Sequence, residues 1–97
     1  MITEYIRNSR GEKRGVVVAI GKNDSSGRAY VRIGWSLCNK KDIFDKERGM
    51  SIACGRAIKS KTNEFCIGIP HTAINPIGKM VERAIRYFHT TNINIAQ

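Results

Sequence analysis

Apolar residues recur at helical spacing in two stretches of the chain and at strand spacing in three or four others. From Asn75 to Thr90, Ile77, Met80, Val81, Ala84, Ile85 and Phe88 fall at i, i+3, i+4, i+7, i+8 and i+11, a single stripe along one helix face. Asn75 can cap the first free N–H groups, and Pro76 at the first helical position loses no intrahelical bond, so Asn-Pro predicts the start. The other side carries Lys79, Arg83 and Arg86, with only Glu82 nearby to offset them. One face is built for burial and the other is a row of cations.

The first half of the chain reads as strands. Residues 2–7 alternate weakly, with Ile2, Glu4 and Ile6 against Thr3, Tyr5 and Arg7. Asn8 to Arg14 is a polar turn carrying Arg10, Lys13 and Arg14. Gly15 to Gly21 (GVVVAIG) is β-branched and bounded by glycines, the pattern of a central strand covered on both faces. Lys22 to Gly27 is a hairpin loop. Over Arg28 to Leu37, Ala29, Val31, Ile33, Trp35 and Leu37 share one face, which is core. Arg28, Tyr30, Arg32, Gly34 and Ser36 share the other. That second face is either an ordinary solvated surface or a platform on which an aromatic ring and two guanidinium groups meet a base or a phosphate.

A second helix is predicted from Asp42, with Asp42 and Asp45 as N-cap and N3 placing negative charge at its positive end. Ile43, Met50, Ala53, Cys54, Ala57 and Ile58 trace its narrower stripe. Gly49, Ala53 and Ala57 repeat every four residues as a ridge of small side chains. Gly49 and Gly55 each cost a helix about 1 kcal/mol against alanine, so close approach to the sheet or the other helix is the expected compensation. Arg48, Arg56 and Lys59 lie away from the stripe. Glu64 to Ile69 alternates as a strand ended by Pro70, and the tail from Thr91 either frays or adds an edge strand. The order β-β-β-α-β-α in one domain over 1–97 predicts the α+β class: an antiparallel sheet of three to four strands with two helices packed on one face.

Charge changes the picture more than composition does. Ninety-seven residues with 41% hydrophobic and 26% charged positions are ordinary for a globular domain. Seventeen Lys and Arg against eight Asp and Glu leave a net +9, which points to a polyanion, most often nucleic acid. No segment approaches the roughly 20 apolar residues of a membrane span, and the first residues lack a signal peptide's apolar core, so a cytoplasmic protein with no membrane partner is expected. Three cysteines, Cys38, Cys54 and Cys66, are an odd number at spacings that suit reduced thiols better than a disulfide framework.

Reactive constellations are scarce. The capping role accounts for Asp42 and Asp45, which are paired carboxylates in sequence. Cys38, Cys54, Cys66 and His71 show no Cys-x-x-Cys or His-x₃-His spacing for zinc. Cys54 on an apolar stripe is a small hydrophobe, and Cys66 with His71 makes no better catalytic pair. KNDSSGR at 22–28 lacks the phosphate-loop spacing. The chain therefore reads as a non-enzyme without cofactor or metal.

Residues 33–57 carry Gly34-Trp35-Ser36-x-Cys38-Asn39, then Lys41-Asp42-x-Phe44, Gly49, Ile52-Ala53 and Gly55-Arg56-Ala57. This quarter of the chain resembles short, uncharacterised basic proteins of tailed bacteriophages. The resemblance brings no binding or catalytic residue with it. It implies expression in a bacterial cytoplasm during infection, where small basic proteins bind DNA or seize a host enzyme.

The residues expected to contact nucleic acid are Lys79, Arg83 and Arg86 as one rail and Arg28, Arg32, Arg48, Arg56 and Lys59 as a second, with Tyr30 as a stacking ring. Contacts would be mainly to the phosphate backbone, with DNA favoured over RNA. The alternative is an interaction factor whose cationic surface docks on an acidic host protein and inhibits or redirects it. A homodimer is compatible with either.

Overall fold

The computed structural model describes residues 1–59 and 71–95, apart from the side chains of Lys59 and His71. Three strands, β1 (Ile2–Arg7), β2 (Lys13–Asn23) and β3 (Ala29–Leu37), form an antiparallel meander. Polar side chains close both hairpins. Asn8 accepts the Arg10 and Glu12 amides through its side-chain oxygen. Asp24 accepts the Ser26 and Arg28 amides and the Ser26 hydroxyl, and Gly27 completes that turn at φ +84°. The tail supplies the edge strand, β4 (Ile93–Ile95), which runs parallel to β3 with Val31 opposite Ile93. The sheet order is β1-β2-β3-β4, mixed and mostly antiparallel, and the fold is α+β. The predicted strand at Glu64–Ile69 lies outside the described residues. Among those described the order is β-β-β-α-α-β.

The helices do not share a face, contrary to the expectation. α1 (Lys46–Lys59) covers Val16 and Val18 with Ala53 and Ala57. α2 (His71–Phe88) covers Val17, Ala19, Ile33 and Trp35 with Ala73, Ile77, Met80 and Ala84. Successive residues of β2 point to opposite faces, and Val16 through Ala19 are all fully buried. One helix per face is what satisfies such a strand.

Both helix starts also differ from the pattern reading. Asp45, not Asp42, caps α1: its carboxylate accepts the Glu47 and Arg48 amides at 3.0 and 3.3 Å, and its carbonyl accepts the Gly49 amide. Asp42 instead donates its amide to the Asn39 carbonyl in a turn. Ile43 therefore precedes the helix and is 94% exposed, and Ile58 faces solvent as well. α2 begins at His71, before Pro76, because the apolar stripe extends back to fully buried Ala73, one turn ahead of Ile77. Ile85, on the margin of that stripe, is 37% exposed.

The small-residue ridge of α1 meets the sheet where β3 has no side chain. A Cβ on Gly34 would stand 2.0 Å from the Ala53 carbonyl oxygen and 2.7 Å from the Ala57 nitrogen, so helix backbone rests almost directly on strand backbone. Beside it the Ser36 hydroxyl donates to the Gly49 carbonyl at 2.8 Å. Gly49 itself approaches Val16, as expected of it, but nothing described lies within 4 Å of a Cβ on Gly55. The two glycines thus predict opposite outcomes from nearby changes. Gly34→Ala should destabilise the domain by about 2 kcal/mol or more, since backbone cannot yield as a side-chain tip can. Gly55→Ala should stabilise it by about 0.5–1 kcal/mol through helix propensity. Urea denaturation of both variants checks the pair.

Candidate nucleic-acid interface

The start of β3 brings Arg28, Tyr30 and Arg32 to one end of the molecule. Arg32 donates from Nη1 to the Ile58 carbonyl at 2.7 Å, placing a cation at the negative end of α1. Its guanidinium carbon stands 5.3 Å from the Tyr30 ring centroid, and its Nε is buried with no partner among the described residues. Lys59 follows directly; its side chain lies outside the described residues. The face on which these residues sit is not a bare platform, because α1 covers Gly34 and Ser36 further along it. Only the Tyr30–Arg32 end remains half-exposed.

α2 ends at the same place. The Phe88 ring packs over Gly21 of β2, and His89 leaves the helix in the left-handed region at φ 54°. Arg28 then lines a shallow groove of about 690 Å³ with Ile85, His89, Thr90, Thr91 and Asn92. Arg86 is exposed in the last turn of α2, one residue from Ile85. The hairpin between β2 and β3 contains one carboxylate, Asp24.

The remaining predicted residues scatter. Arg48 and Arg56 stand two turns apart on the flank of α1. Arg56 donates from Nη1 to the Trp35 carbonyl at 2.8 Å, with its guanidinium 5.5 Å from the Trp35 ring. Lys79 is exposed on α2, on the far side of the sheet from α1. Arg83 forms an ion pair with Glu4 of β1, the single ion pair among the described residues. Against the expectation that only Glu82 offsets the α2 row, a carboxylate of β1 on the face that α2 covers pairs with it. Most of the two cationic rails therefore lies on opposite layers, and of the second rail only Arg28 reaches the end of α2.

An aromatic cluster that pattern alone did not reveal lies at the other end. The Tyr5 ring has Lys13 Nζ 4.2 Å and Arg7 5.9 Å from its centroid, and meets Phe44 edge-on at 6.3 Å. The signal was strand register: Arg7 pairs with Lys13 across the first hairpin, which brings both cations to the face that Tyr5 occupies. Among the described residues, no group of three His, Cys, Asp or Glu side chains could hold a metal ion. No described helix is long and apolar enough to cross a membrane.

Asp24 makes the hairpin end sensitive to acid. The Ser26 hydroxyl foremost, and then the Arg28 amide, hold its carboxyl below the ordinary 3.8. A carboxylate with a depressed value stabilises the fold above its unfolded value, and that contribution disappears as pH falls through the lower folded value. The Asp24 carboxyl should therefore titrate by NMR with a midpoint below 3.8, and Ser26→Ala should move that midpoint upward.

Comparison with known proteins finds no matching family model, no matching curated protein and no matching solved structure.

Proposed function

We propose that this protein binds nucleic acid through phosphate contacts, with little dependence on base sequence. The interface is the end where the β2–β3 hairpin meets the last turns of both helices. The observation that carries this reading is uncancelled charge. The protein holds a net +9, yet Arg83 is the only cation with a carboxylate partner among the described residues. Arg28 is exposed in the groove and Arg86 is exposed in the last turn of α2 beside Ile85, at the end where Asp24 is the hairpin's one acid.

Guanidinium groups suit phosphate because their planar forks donate two parallel hydrogen bonds to it. Arg32 keeps a role in closing α1 and stiffens Tyr30, so it serves the interface chiefly as a fixed charge behind Arg28. The exposed guanidinium groups at this end suit phosphate oxygens, contacts that position a nucleic acid without reading its bases. Duplex DNA is the favoured ligand.

Arg83→Glu is a poor probe of this surface, because it would set two carboxylates side by side at Glu4. Arg28→Gln combined with Arg86→Gln is better, since both side chains are exposed. Anisotropy with a random-sequence duplex should show log affinity falling linearly with log salt, and the double variant should lower that slope by about 2. An affinity unchanged between low and moderate salt, or a slope the double variant leaves intact, refutes the assignment.

A further inference from the structure

The two hairpins lie at opposite ends of β2, whose 11 residues at about 3.3 Å each set them roughly 33 Å apart. The molecule measures 45 × 24 × 22 Å, and a strand that long runs along the 45 Å dimension. Arg28 stands at one end of it. The other end carries more charge. Across residues 7–14 and 38–42, Arg7, Arg10, Lys13, Arg14, Lys40 and Lys41 are set against only Glu12 and Asp42, which leaves +4.

Backbone bonds join these two segments into one surface. The Cys38 amide donates to the Arg14 carbonyl at 2.7 Å, and Arg14 Nη2 donates to the Asn39 carbonyl at 2.5 Å. Arg7 Nη1 donates to the Gly11 carbonyl at 2.8 Å, and Lys13 is held over the Tyr5 ring. Such anchoring fixes a cation without neutralising it, and a guanidinium keeps most of its five donors after one bond. The Glu12 carboxylate accepts from the Asn8 side-chain amide, and none of the six cations has a carboxylate partner among the described residues. All of them except half-buried Arg14 are exposed.

Resting on the phosphate-contact reading above, we propose that the β1–β2 hairpin end is a second nucleic-acid surface, so that one chain bridges two separate segments of duplex. The chemistry is the same at both ends: exposed cations, free donors and no paired carboxylate, which suit phosphate oxygens. The separation favours two segments over one. At physiological salt the Debye length is about 8 Å, so ends roughly 33 Å apart act independently. Neutralising one leaves the field of the other intact, and two backbones held that far apart repel each other little. Between the ends α2 offers less to a duplex laid lengthwise, because Glu4 cancels Arg83 and Glu82 lies within a turn of Lys79 and Arg86.

The test is calorimetric titration of the full chain with a random-sequence duplex of about 12 base pairs, little more than one helical turn. Two binding steps and two duplexes per chain are expected. Arg10→Gln with Lys13→Gln should weaken one step at least about tenfold, Arg28→Gln with Arg86→Gln the other, and all four together should weaken both. Lys40→Gln with Lys41→Gln removes charge from the other half of the first end and should act as Arg10→Gln with Lys13→Gln does. All four of these lysines and arginines at the first end are exposed, so the core is untouched. One duplex per chain, or two steps that neither first-end variant alters, overturns the bridge and leaves the Arg28–Arg86 interface standing. Poly-glutamate adding to a one-duplex complex where a second duplex does not would assign this end to an acidic protein and overturn the bridge likewise. Steps unchanged by Arg28→Gln with Arg86→Gln refute that interface and the bridge with it.

Discussion

Val16, Val17, Val18 and Ala19 send side chains alternately to the two faces of the sheet, and all four are sealed from water. Burying a valine contributes about 1.5–3 kcal/mol relative to leaving it exposed, so a sheet open on either side would forfeit a large part of a small domain's stability. The rest of the architecture follows from that demand. A helix must lie on each face, and α1 and α2 supply one each.

The two faces are covered by different means. α2 uses bulk: Ile77, Met80 and Phe88 fill the space above Val17, Ala19 and Ile33. α1 uses proximity: Gly34, Gly49, Ala53 and Ala57 leave no side chain thick enough to hold helix and strand apart. Close backbone approach gains dispersion contacts but permits no increase in side-chain size at the crossing. It also sets where the cations go. A helix pressed flat on the sheet throws its flanking Arg56 over the strand edge, whereas α2, held further out, leaves Lys79 and Arg86 in solvent.

Much of this was legible in the order of residues, and the exceptions have physical causes. The GVVVAIG run implied cover on both faces, a requirement at odds with two helices on one side; the strand pattern was the sounder guide because it reports burial directly. The alternation of Val31, Ile33 and Trp35, the stripe of α2 and the small ridge of α1 were all readable from period alone. The spacing reads Asp42 as the cap and Asp45 as N3, and only the backbone path after Asn39 makes Asp45 the cap. A cap at Asp42 would put Ile43 in the first helical turn, whereas the cap at Asp45 leaves it exposed at the mouth of a cleft. The Glu4–Arg83 pair spans 79 positions, a separation at which no local pattern carries information. The cationic groups were therefore found one by one, but not their division between opposite layers.

The parallel pairing of β3 with β4 has a consequence for the order of assembly. The two hairpins close over short loops and cost little chain entropy, whereas Val31 meets Ile93 only after everything between has been laid on both sides of the sheet. The last strand thus arrives late, as the closing piece of a sheet whose other three strands assemble locally.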